Sequence, residues 1–241
     1  MDYTQDTDSQ DKPLNIDIVN GHECVDMGLS VKWATCNVGA ESPLDSGLYF
    51  AWGETQPKTE YSWKSYKLHE GGDDGDMKFS KYHTLPDSVD GTVKTRMDPS
   101  DDAARAHWGG TWRMPTIREL EELKDQCEWK FCRTKDRLEY YKVISKVNGA
   151  MILIPLAGYW SGERFREQCG RLWSSSLLKS DPLPGQEGFI GENVWFSSFR
   201  PRDPRYAICL DFGYSDTLDC DMIGWQSSFK SYGIPVRPVT E

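Results

Sequence analysis

The stretch "DPSDDAARAHWGGTWRMPTIRELEELKDQCEW", Asp98 to Trp129, holds two helices in a chain that otherwise reads as strands and loops. Asp98 can cap the first. Pro99 suits its first position, where an N–H would go unpaired in any case, and Asp101 and Asp102 complement the positive end of the dipole. Gly109 or Gly110 ends it. In the second helix Thr116 and Glu119 have the spacing of a capping box. Ile117, Leu120, Leu123 and Cys127 then recur on one helical face. Between the helices lies "WGGTWRMPT" (108–116), which reads as structural. Its glycines permit a tight helix exit, its two tryptophans supply large burial, and Arg113 pairs with an acidic group or with carbonyls beneath the core.

On the C-terminal side the periodicity changes to two. "YYKVISKVNGAMILIPLAGYW" reads as a hairpin turning at Asn148-Gly149, a pair suited to a type I′ turn. "GRLWSSSL" (170–177) and "PRYAICLDFG" follow as strands, the latter with Tyr206, Ile208, Leu210 and Phe212 on one face. "GIPVRPV" closes the chain, held to an edge or a bulge by Pro235 and Pro238. On the N-terminal side, Val25, Met27, Leu29, Val31 and Trp33 alternate with polar or small residues, as in a strand folded over at Gly28. "SGLYFAWGE" (46–54) is a second aromatic segment, and 55–95 reads as a long polar surface excursion. Segments 178–205 and 213–232 read as loops too long to be turns, and long loops on a rigid scaffold are where binding resides.

The chain has 241 residues and a net charge of −10, so it is a poor partner for nucleic acid or an anionic membrane. No apolar run is long enough for a transmembrane span, since "AMILIPLAG" is broken by Pro155. "MDYTQDTDSQDKPLN" lacks the basic and apolar regions of a signal peptide and reads as part of a flexible polar tether over 1–20. The seven cysteines form no CxxC pair and read as buried thiols with at most one disulfide; with four scattered histidines they give no zinc spacing. There is no phosphate-cradling glycine loop, no GxSxG elbow and no HExxH. Asp73, Asp74 and Asp76 in "GGDDGDMK" read as a solvated loop before a calcium site.

One composition stands apart. From Phe189 to Tyr232 aromatic residues interleave with Arg, Asp, Ser and Gly, the mixture that binding surfaces favour. Trp195, Phe196, Phe199, Tyr214, Trp225, Phe229 and Tyr232 are the candidate apolar anchors. Arg200, Arg202, Asp216 and Ser227 are the candidate directional partners. The stretch "GWQSSFKSY" (224–232) reads as one display loop, anchored by the strand that follows it.

"VDMGLSVKWATCNVGA", "YFAWGE", "DPSDDAARAHWGGTWRMPT", "SKVNG", "IPLAGYW", "LWSSS" and the terminal "GIPVRPV" resemble, in order, the Fibrobacter succinogenes major paralogous domain. The resemblance runs from Glu23 to Val239. It implies an α+β, C-type-lectin-like fold of the kind shared with formylglycine-generating enzymes, in which two helices flank small twisted antiparallel sheets with long loops. A single domain would then span 21–241. It further implies an exported cell-surface or outer-membrane lipoprotein, lipid-anchored in its precursor, that binds a protein or glycan without catalysis or cofactor. Some proteins of this fold are variable proteins of diversity-generating retroelements. Family members are Asn- and Tyr-rich between "WSSS" and "VRPV"; here Phe, Ser, Asp, Ile, Cys, Gly and Tyr stand instead, all reachable from an AAC codon by changing adenines. Departures count too: Cys209 and Cys220 lack the close spacing of a formylglycine-generating pair, and the calcium-binding EPN, QPD and WND triplets of sugar-binding lectins are absent. The alternatives are a structural envelope or pilus-tip subunit and an enzyme of the formylglycine-generating type.

Overall fold

The computed structural model describes residues 16–70, 78–82, 96–167, 169–176 and 204–241. The described chain is a mixed α+β architecture of small antiparallel sheets with two α-helices. In order the strands are β1 (Ile16–Val19), β2 (His22–Val25), β3 (Lys32–Ala34), β4 (Tyr49–Phe50), β5 (His69–Glu70) and β6 (Lys78–Phe79). Helices α1 (Ala103–Trp108) and α2 (Ile117–Gln126) follow. The second half is strand: β7 (Cys127–Arg133), β8 (Glu139–Ser145), β9 (Met151–Pro155), β10 (Tyr159–Ser161), β11 (Arg164–Arg166) and β12 (Gly170–Trp173). It ends with β13 (Tyr206–Ser215), β14 (Cys220–Phe229), β15 (Ile234–Pro235) and β16 (Val239–Thr240).

Three sheets carry the fold, ordered β1-β2-β3-β16, β7-β8-β9 and β12-β13-β14. The first joins the two ends of the described chain, because β16 pairs with β3. It also corrects the tether reading, since residues 16–19 form a strand against β2. The signal lay in Asn20-Gly21, which take positive φ of 47° and 83°, the requirement of a two-residue type I′ hairpin. Residues 1–15 lie outside the described part. At the other Asn-Gly pair the expected turn does not form. Only Gly149 has positive φ, and Ser145 and Ala150 close a wider turn through Ser145 N–H to Ala150 O at 2.8 Å.

The helices start where their caps place them. Thr116 Oγ1 accepts from Glu119 N and Glu119 Oε2 from Thr116 N, so the capping box is complete. Arg113 clasps the same carboxylate with two bonds of 2.9 and 2.7 Å. The first helix differs from the expectation. Asp98 and Pro99 open only a 3-10 turn, and α1 begins at Ala103, capped by Asp102 through Arg105 N at 3.0 Å. Asp102 also accepts from Met114 N, so one carboxylate ties α1 to the segment that leads into α2.

Two apolar cores lie on either side of β13. Ile208, Leu210 and Phe212 enter the larger with Trp33, Leu120, Leu123, Tyr141, Ile152 and Trp225. Ala207 and Cys209 enter the smaller with Phe50, Trp52, Met114, Trp173 and Ile234. The "YFAWGE" and "LWSSS" motifs close the smaller one reciprocally, for Trp52 Nε1 donates to Ser174 O and Trp173 Nε1 to Phe50 O, each at 2.8 Å. The excursion after Thr55 contributes a satellite core of its own, with Tyr61, Tyr66 and Phe79 buried against Ala51. The closing strand is two fragments, since Pro235 and Pro238 interrupt it, and between them Arg237 is fully buried.

The largest correction concerns 213–232. It is no loop: β14 pairs with β13 over ten consecutive residues, Tyr206 opposite Phe229 through Ser215 opposite Cys220. Gly224 and the Ser227-Ser228 pair make the segment look too weak for a strand. Packing supplies what local propensity lacks, because Ile223, Trp225 and Ser227 alternate onto the larger core.

Candidate functional site

The proposed contact residues divide. Trp195, Phe196, Phe199, Arg200 and Arg202 lie outside the described residues. Of the rest, Trp225 is 9 % exposed and part of the larger core, and Ser227 is buried beside it. Neither side chain is available for display, which corrects their place in the predicted surface. Tyr214 and Asp216 lie at the hairpin tip, where Tyr214 stacks on Phe131 with ring centroids 4.6 Å apart. Phe229 and Tyr232 lie at the base. Eight residues separate Tyr214 from Tyr206 along β13, roughly 26 Å at a strand's rise. The candidate set is therefore not one patch.

Around the base a different patch assembles. Tyr206 stacks on Phe229 at 4.6 Å, Phe229 meets Tyr232 edge-on at 5.4 Å, and Tyr232 stacks on Tyr159 at 5.6 Å. Trp63, from a 3-10 turn in the polar excursion, meets Phe229 at 5.6 Å. The β10–β11 hairpin continues the face, with Trp160 against Phe165 at 5.1 Å. Backbone bonds between Trp160 and Gly233, at 2.9 and 3.0 Å, fix that hairpin to the residues just after β14. All of these rings are half-buried except Phe165, which is exposed.

A polar group borders this face. The Arg171 guanidinium lies 3.8 Å from the centroid of the Tyr159 ring, donates from Nε to Asp211 Oδ1 at 2.8 Å, and from Nη1 to Ser228 Oγ at 3.2 Å. The register explains the convergence: Arg171 is opposite Asp211, and Asp211 opposite Gly224, so the three share the face of the sheet away from the larger core. A Cβ at Gly224 would meet nothing within 4 Å, so this face is open there. Gln226 and Met222 flank it. The result is a cation locked in place over Tyr159, at the end of the run of rings; by the same register Tyr206 and Phe229 lie on the other side of the sheet, with Ile208 and Ser227, and join that run through Tyr232. Such an arrangement is suited to holding a ligand by stacked area and a few directed bonds.

Sequence reading missed Tyr159, Trp160, Phe165, Arg171, Trp63 and Tyr206 as members, the last of which reads only as part of a strand face. A signal existed for the first two, since "GYW" places two aromatics directly after Gly158 at the end of an apolar strand. Arg171 and Trp63 gave none: one is a lone cation within a strand, the other a lone ring in a polar stretch.

Among the described residues, the serines of "LWSSS" and three histidines are engaged in local packing and hydrogen bonds. Ser174, Ser175 and Ser176 hydroxyls bond backbone groups of their own turn or of the segment from Met114 to Ile117. His22 stacks on Trp108, His69 bonds Tyr66 O and His107 bonds Thr55 O; His83 lies outside the described residues. Cys209 sits opposite Gln226 and Cys220 opposite Ser215, six residues along the hairpin or roughly 20 Å. Burial pushes the Cys209 thiol up to about 12. Comparison with family models, with curated proteins and with solved structures gives no match to this chain.

Proposed function

We propose that this chain is a non-catalytic binding module of the C-type-lectin-like fold, displaying a ligand-binding face on the β12–β13–β14 sheet and the hairpin beside it. The observation that carries the reading is the continuous run of half-buried rings from Tyr206 through Phe229 and Tyr232 to Tyr159, with Arg171 stacked at its end. Trp33, Trp52, Trp112 and Trp173 are all fully buried, so the chain can hide its aromatics. Rings left at the surface beside a fixed cation are the composition of interaction hot spots. The junction of both ends of the described chain in one sheet, two helices and a second sheet with its own open face support the lectin-like reading. The ligand is a protein or a glycan.

The test is binding to glycan arrays and to displayed protein libraries, compared between the wild type and Tyr159→Ala with Tyr232→Ala. The double substitution removes the central stacked pair and is expected to abolish binding while the protein stays folded. Ligand binding that survives it in a folded protein sinks this placement. Trp225→Ala is the contrast: it empties part of the larger core and is expected to cost about 3–5 kcal/mol in urea unfolding, whatever the ligand.

Diversification by a retroelement belongs to the same proposal. It predicts a reverse transcriptase near the gene and a near-copy of codons 189–235 differing mainly at adenines. The second reading is a structural envelope or pilus-tip subunit. It is favoured by the inward packing of Trp225 and expects the exposed rings to meet a neighbouring subunit, not a free ligand.

A further inference from the structure

The outer edge of β14 is open among the described residues, since the sheet order is β12-β13-β14 and no strand lies beyond. The direction of its backbone groups follows from three bonds. Lys230 N–H donates to Arg205 O, so the alternate residues Ser228, Gln226, Gly224 and Met222 turn their backbone toward β13. Ile208 O is taken by Ser174 N on the β12 side, which leaves its opposite number, Ser227, facing outward. Ser227 O is indeed met by the side-chain amide of Gln226 at 3.1 Å. Asp221, Ile223 and Trp225 therefore turn both N–H and C=O groups to this edge, while Ser227 and Phe229 turn theirs the same way but have their carbonyls met by the Gln226 side chain and by Tyr232 N–H.

Proteins usually blunt such an edge with Lys, Pro or a bulge. The β7 edge of this protein follows that rule with Glu128, Lys130 and Arg133. β14 does not. Its register runs through ten pairs without a bulge, and Met222 to Phe229 are eight residues with no charge and no proline. At 27 % charged residues, eight would carry about two charges.

We infer that the β14 edge pairs antiparallel with β14 of a second copy, giving a two-fold dimer with a continuous six-stranded sheet. Charge selects this occupant. The hairpin tip carries Asp216, Asp219 and Asp221, and the base carries Arg205. Antiparallel pairing sets the acidic hairpin tip of one copy beside the hairpin base of the other, where Arg205 precedes β13, and Met222 to Phe229 between them carry no charge. Outward residues must face outward residues, and Trp225 opposite its own counterpart puts Ile223 against Ser227 and Asp221 against Phe229. The dimer also sets the two proposed ligand faces on one sheet, so a repetitive ligand would be held bivalently. The inference stands without the ligand reading, because it rests on the edge alone.

The test is sedimentation of the whole chain over a wide concentration range, with Gly224→Lys and Gln226→Lys. Both side chains point away from the larger core, and the open space at Gly224 admits a lysine. The wild type is expected to reach twice the monomer mass, and the double variant to weaken association at least tenfold without a change in thermal unfolding. Hydrogen exchange supplies the second arm. Amides of Ile223, Trp225 and Ser227 should gain protection as concentration rises, while those of Gly224 and Gln226 are protected throughout. A wild type monomeric at every concentration overturns the inference. So does a dimer that the lysines leave intact, or one whose 223, 225 and 227 amides exchange as fast as in the monomer.

Discussion

Arg237 is the most completely buried charge in the described chain, and no carboxylate meets it. Its Nε donates to Asn37 Oδ1 at 2.9 Å, one terminal nitrogen to Ala34 O and Thr35 O, and the other to Leu153 O at 3.0 Å. Four backbone or amide oxygens thus replace the water the guanidinium loses. Burial still lowers its pKa to about 10, which leaves it cationic at neutral pH. The planar fork matters here more than the charge, because it spans the segment after β3, the middle of β9 and the chain's last turn at once. Arg237→Ala strands four acceptors and opens a cavity, and it is expected to cost about 3–5 kcal/mol or to prevent folding. Arg237→Lys keeps the charge but reaches fewer of the oxygens, and is expected to recover less than half of that loss. Urea unfolding of the two variants checks the order; a lysine as stable as the arginine would show that charge alone is needed.

The α2 helix shows how a local signal becomes a tertiary joint. Burial works against the charge of Glu119, but Arg113, with help from Thr116 N–H, outweighs it and holds the carboxyl below its ordinary value of 4.5. A carboxyl whose folded pKa lies below its unfolded one contributes stability above about pH 4.5 and loses it as pH falls through the folded value. The wild type is therefore expected to lose stability as pH falls below about 4.5, and Glu119→Gln to show a shallower acid limb. At neutral pH that variant should be about 1–3 kcal/mol less stable, because Arg113 is left half-buried without its partner. An unchanged acid limb would remove Glu119 from the account. This helix was legible because its cap, box and apolar stripe all lie within twelve residues. The β12–β13 pairing was legible in part, through the period of Ile208, Leu210 and Phe212. β14 was not, because Gly224, Ser227 and Ser228 carry weak strand propensity and owe their conformation to the core beneath them. The site failed for a related reason. Trp225 and Tyr232 look equivalent in a list of aromatics, and only the register sends one inward and leaves the other half-exposed. Trp63 and Tyr232 are 169 positions apart, yet both pack on Phe229, and nothing local announces it.

At the level of the whole molecule, stability rests on the two cores and not on cross-links, for all seven cysteines are free. Their environments grade their reactivity. Cys24, Cys127 and Cys209 are buried, Cys36, Cys132 and Cys169 are half-buried, and Cys220 at the hairpin tip is exposed. Burial raises the Cys127 and Cys169 thiols to about 11 and Cys209 to about 12, so each is almost wholly protonated at neutral pH, and the thiolate is the reactive form. A thiol reagent added to the native protein is thus expected to label Cys220 first, and Cys24, Cys127 and Cys209 only after denaturant releases all seven. Reductant should leave the urea midpoint unchanged, since it has no bond to break. A midpoint that drops on reduction, or fewer than seven thiols in the unfolded unreduced chain, would show that a disulfide contributes after all. The Cys220→Ser variant closes the argument. It should abolish the fast labelling phase with no effect on unfolding, because at the tip of β14 that side chain touches solvent and not the core on which the strand depends.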